Sequence, residues 1–128
     1  MTNQLDFHDG FVDGLLVSEP TARIFLRTVA EEKFTLVLYE VDALHVLDLK
    51  KGNIIFELRF LDTDQLDQEF VFETYEYSDE YKKSFVLKEW VAKAKEKGLS
   101  AIQITPSYGC SLSALFRSKT ITGGHVFA

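Results

Sequence analysis

Ala22-Arg23-Ile24-Phe25-Leu26-Arg27-Thr28-Val29 alternates, with Ile24 and Leu26 pointing one way and Arg23 and Arg27 the other. A period of two marks a strand with one face buried. On its C-terminal side, Ala30-Glu31-Glu32-Lys33 is a polar turn. Residues 34–40 follow, apolar on both faces, and so read as a central strand. Residues 43–49 form another. Lys50-Lys51-Gly52-Asn53 is a turn, because Gly and Asn accept positive φ at little cost. Residues 53–61 make the next strand. Connections this short leave no room for parallel crossovers, so the pairings are expected to be antiparallel.

Upstream, Phe11–Ser18 is a β-prone apolar stretch ended by Glu19-Pro20, since proline lacks a ladder donor. Downstream, residues 62–68 are polar and acidic. Residues 69–77 again read as a strand, with Phe70, Phe72 and Thr74 on a core side and Glu69, Val71, Glu73, Tyr75 and Tyr77 on an exposed side. A helix is expected over 79–97. Ser78 or Asp79 would cap it, Val86, Leu87, Trp90, Val91 and Ala94 would form its buried stripe, and Gly98 would end it at C′. Residues 99–105 and 112–121 complete the strands, and Gly123-Gly124-His125 reads as a frayed tail. The expected fold class is α+β: a mainly antiparallel sheet of about eight strands with one amphipathic helix packed on it. A β-sandwich or partly closed barrel with one helix is the alternative.

The 128 residues suit a single α+β domain spanning 1–128, and 46% hydrophobic residues are enough for one core without cross-links. Cys110 stands alone, which rules out an internal disulfide. The N-terminus lacks a basic stretch followed by an apolar one, and no apolar run approaches the roughly 20 residues that span a bilayer, so the cytoplasm is the expected compartment. A net charge of −6 argues against nucleic acid or an anionic membrane as partner. The charge is concentrated: Asp62, Asp64, Asp67, Glu69, Glu73, Glu76, Asp79 and Glu80 fall within residues 62–80 with no Lys or Arg until Lys82, so the rest of the chain is slightly positive.

No catalytic constellation assembles in the sequence. His8-Asp9 resembles a metal-binding dyad, but only His45 and His125 remain as further histidines, and the bland reading is a turn before the first strand. Cys110, between Gly109 and Ser111, lacks a nucleophile-elbow motif and reads as a buried thiol. Asp62, Asp64, Asp67 and Glu69 invite a calcium reading. Counted from Asp62, however, position six is Asp67 where the EF-hand requires glycine. Neither a metal nor a cofactor is expected.

The segments His8-Asp9-Gly10-Phe11-Val12-Asp13-Gly14 and Gly52-Asn53-Ile54-Ile55, in this strand-rich order, resemble small bacterial β-rich domains of unknown biochemical role. Some of those are associated with polymorphic toxin systems as immunity proteins. The resemblance covers the first half of the chain and carries no catalytic residues. It implies a non-enzymatic interaction protein, of immunity or regulatory type. Read from charge, its partner would be a basic protein such as a toxin, met through Asp62, Asp64, Asp67, Glu69, Glu73, Tyr75 and Glu76. The rival reading is a small-molecule binding domain or an enzyme with a pocket lined by Tyr75, Tyr77, Tyr108 and Trp90.

Overall fold

The computed structural model describes residues 6–75 and 85–127. Eight strands carry the fold: β1 (Phe11–Ser18), β2 (Thr21–Arg27), β3 (Lys33–Tyr39), β4 (Ala43–Leu47), β5 (Asn53–Leu61), β6 (Ser100–Tyr108), β7 (Ser111–Phe116) and β8 (Ser118–Gly123). A short 3₁₀ turn (Thr63–Gln65) and two helices, α1 (Gln68–Tyr75) and α2 (Phe85–Glu96), lie between β5 and β6. The class is α+β, mostly β. One antiparallel sheet runs in the order β4-β7-β6-β5-β1-β2-β3-β8, and it is open because no ladder joins β4 to β8.

The sheet is far from flat. Lys119 of β8 lies 4.5 Å from the ring centre of Phe60 on β5. These strands are four ladder steps apart, roughly 19 Å in a flat sheet. At the other side β3 passes into β4, and β7 into β8, around a shared corner. Arg117 N–H donates to the Tyr39 carbonyl (3.0 Å) and Asp42 N–H to that of Leu115 (2.8 Å), so the two chains stay paired as they bend. Two four-stranded halves, β4-β7-β6-β5 and β1-β2-β3-β8, thus fold over one core. Val12, Ile24, Leu26, Leu36, Leu38, Ile55, Ile102, Ile104, Leu112 and Phe116, drawn from both halves, form that core.

On the β1-β5 side the halves are joined only narrowly. β1 pairs with β5 at Phe11↔Ile54 and Val12↔Asn53 alone. Both strands are irregular near this point: β1 bulges between Val12 and Gly14, and β5 between Ile54 and Glu57. Such bulges bend a strand and end its pairing. Asn53 pins the junction. Its amide donates to the carbonyls of Val12 (3.1 Å) and Lys50, and its oxygen accepts from the N–H of Lys50 and of Cys110 (3.0 Å).

The helices cover the outer face of the β4-β7-β6-β5 half. Leu61, Ala101 and Leu115 of the sheet meet Leu66, Phe70 and Ala94 in a second apolar cluster. α2 ends as expected at Gly98 (φ 69°): Leu99 N–H reaches the Ala94 carbonyl and Gly98 N–H that of Lys95, the paired bonds of a Schellman cap.

Four expectations need correction. Residues 68–75 are helix α1, not part of a strand. The Asp67 carboxylate accepts from Phe70 N–H (2.8 Å) and caps it, and Phe70, Val71 and Thr74 are buried at i, i+1 and i+4. Val71, which alternation had placed outside, is 0% exposed. The strand expected at 112–121 divides at Arg117, because the chain turns the corner there. The tail is docked: Gly124 N–H donates to the Lys33 carbonyl, Val126 N–H to Thr35 Oγ1, and Phe127 packs on Phe25 at 4.6 Å. On α2, Ala94 is buried but Trp90 and Val91 only half-buried, so this part of the stripe is shallower than its periodicity implied; the side chains of Val86 and Leu87 lie outside the described residues. The expected helix start, with Ser78 and Asp79, lies outside the described residues.

Candidate functional site

The strand β5 and helix α1 converge on a cleft of about 390 Å³. Its floor is on the outer face of the sheet, where Arg59 of β5 stands in register with Gln103 of β6. Arg59 Nη2 donates to Gln103 Oε1 at 2.6 Å, while its Nε lies 3.7 Å from Glu57 Oε1. Leu61, two residues along β5, lines the same side, as alternation requires. The opposite wall is α1, contributing Asp67, Glu69, Phe70 and Glu73, and Gln65 closes one end.

The wall has this composition because α1 is amphipathic. Phe70, Val71 and Thr74 face the sheet, with Thr74 Oγ1 bonded to the Phe70 carbonyl (2.8 Å) and to Ser113 Oγ of β7 (3.1 Å). Glu69 and Glu73 are exposed and one turn apart, which puts both carboxylates on one face. Neither makes an ion pair or hydrogen bond among the described residues. Like charges at i and i+4 cost a helix roughly 0.2–0.5 kcal/mol. The cleft thus carries three carboxylates against one guanidinium that is already engaged.

Of the residues expected from the sequence, Asp67, Glu69 and Glu73 are brought together here. Asp62 and Asp64 are exposed on the adjoining 3₁₀ turn, and Asp62 N–H donates to Gln65 Oε1 (2.7 Å), tying that turn to the cleft. Tyr75 ends α1, with its side chain outside the described residues, as is Glu76. Arg59, Gln103, Leu61 and Gln65 were not anticipated. Alternation along β5 separates Arg59 from Phe60, but only the fold puts Arg59 opposite α1.

The other candidates are dispersed. His8 Nδ1 bonds the Phe56 carbonyl, and this bond, with Asp9 beside it, raises the pKa of the exposed imidazole. His45 is on β4, opposite Ser113, and His125 bonds the Leu26 carbonyl from the tail. Among the described residues no three His, Cys, Asp or Glu side chains form a group able to hold a metal ion. Cys110 is 1% exposed, and burial pushes its thiol up to about 11, leaving it protonated and unreactive near neutrality. Tyr108 is 52% exposed, and neither it nor Trp90 lines the cleft. Among the described residues no helix is long and apolar enough to cross a membrane. Comparisons with protein families, with curated proteins and with solved structures find no match to this chain.

Proposed function

We propose that this protein is a non-enzymatic binding protein, of immunity or regulatory type, whose acidic cleft receives basic side chains of a protein partner. The observation that carries this reading is the placement of Glu69 and Glu73: exposed, side by side on α1, at the wall of a concave site and without a cation partner among the described residues. Such a pair does nothing for the helix it stands on. It does suit a lysine or arginine arriving from outside, for which Gln65 and Gln103 offer further acceptors. Carboxylates around a cleft also steer a basic partner during its approach.

The test is to capture the partner from the source organism with the intact protein, then compare Glu69→Lys/Glu73→Lys with wild type. Both positions are exposed, so the fold should survive. Association at low salt is expected to slow by about tenfold or more, and wild-type association to weaken as salt is added. An unchanged on-rate would sink the reading.

A further inference from the structure

The strand β5 is paired with β6 from Ile54 to Leu61, with irregularities around Ile55 and Phe56, but with β1 only at its first two residues. Beyond these, Ile55 exchanges bonds with Gly10 and Asp9, and His8 takes the Phe56 carbonyl. From Glu57 to Leu61 no strand among the described residues pairs on that side. A bare strand edge offers a row of donors and acceptors to another chain. Among the described residues no apolar cover masks this one either: Phe56 is 54% exposed and Phe60 37%.

Two faces flank the edge, and they differ in chemistry. Arg59 and Leu61 look into the acidic cleft, beside Asp67, Glu69 and Glu73. Leu58 and Phe60 look the other way, with Leu58 packed on the main core and Lys119 over the Phe60 ring. A strand laid along β5 would send alternate side chains to each face. The outer edge of β8 is also without a ladder partner among the described residues, but no acidic wall adjoins it to select an occupant.

We propose that the edge of β5 from Glu57 to Leu61 takes up an extended segment of a protein partner by strand addition, with basic residues toward α1 alternating with apolar residues toward Leu58 and Phe60. This rests on the acidic-cleft reading and adds to it the conformation and pattern of what binds. Backbone bonds would supply affinity, and the two faces would supply the sequence preference. The carboxylates outnumber Arg59 and Lys119, so the balance of charge favours a basic occupant.

The experiment uses the full chain and a short synthetic peptide alternating lysine and valine, against the same peptide N-methylated on alternate residues so that one edge cannot bond. The plain peptide is expected to bind at low salt, to slow hydrogen exchange of amides within Glu57–Leu61, and to bind roughly tenfold tighter than the methylated one, as befits one or two backbone bonds. Equal binding of both peptides, lost in Glu69→Lys/Glu73→Lys, would overturn strand addition and leave the acidic cleft standing. Binding undiminished in that variant, with the β5 amides protected, would instead remove the cleft from the account and with it the basic pattern proposed here. No binding of the plain peptide, or protection confined to β4 or β8, would overturn the proposal.

Discussion

The two outer faces of the curled sheet both carry charge, but among the described residues they differ in how much of it is paired. On the β1-β2 face, Arg27 forms a two-point contact with Asp13 (Nε 3.1 Å, Nη2 3.2 Å) and its guanidinium sits 4.1 Å from the Phe11 ring centre. Glu31 lies 3.9 Å from the same group, and His125 approaches Asp13 at 3.6 Å. Beneath them Phe25 is sealed by the tail through His125 and Phe127. On the β5-α1 face, Glu69 and Glu73 have no such partners among the described residues. Charges that serve the fold are half-buried and bonded; charges left exposed at a concave site are available to something else. That difference, more than the count of acids, separates the candidate site from the remaining surface.

The largest expected effect lies under the paired face. Phe25→Ala should destabilise the protein by about 3–5 kcal/mol, since the ring is 5% exposed and is contacted by two tail rings. Urea unfolding measures it, and faster exchange at Gly124 and Val126 should accompany it as the tail detaches. A cost below about 1 kcal/mol would mean the tail adds little to this face.

The sharper contrast is between Arg27→Ala and Glu73→Gln. The first removes a half-buried, charge-assisted double contact and should cost about 1–2 kcal/mol, leaving the Asp13 carboxylate without its main cation. The second should leave stability unchanged or raise it by a few tenths of a kcal/mol, because it relieves a like-charge pair. Equal losses in the two variants would erase the distinction between the faces.

The smallest effect belongs to His8, beside the short β1-β5 pairing. Its hydrogen bond to the Phe56 carbonyl, helped by Asp9, raises its pKa in the folded state. The imidazolium is therefore favoured by folding. Its contribution is present in full below the unfolded value and is lost as pH rises through the folded one. In a proton NMR titration His8 should have its midpoint above the ordinary 6.5, and His8→Gln should flatten that part of the pH-stability curve. A midpoint below 6.5 would contradict the bond.

Much of the order of strands along the chain was legible locally, but not their order in the sheet, where β4 pairs with β7 and with neither β3 nor β5. The alternation of Ile24 and Leu26 against Arg23 and Arg27 placed β2 and its faces, and the turn at Lys50-Lys51-Gly52-Asn53 separated β4 from β5. Residues 69–77 misled because a short stretch holding Phe70, Val71, Phe72 and Thr74 satisfies both a period of two and a period of 3.6. The cap at Asp67, three residues before Phe70, was the signal that could have decided it. The acidic half of the candidate site was visible as composition, whereas Arg59 and Gln103 were not, since nothing local ties a strand residue to a helix wall.

By itself the sequence determined where most strands lie, several of the turns between them, the Gly98 helix stop and the acidic character of residues 62–80, because each depends on neighbours within a few positions. Only the tertiary structure decided that 68–75 coils rather than extends, since burial of Phe70 in the cluster with Leu61 and Leu115, together with burial of Val71, outweighs a modest local preference for strand. It alone decided that β1 parts from β5, that the tail seals Phe25, and that three carboxylates face Arg59 across one cleft. Those contacts join residues from about eight to about a hundred positions apart, and the closing of a curled sheet around its core, not any local propensity, brings them together.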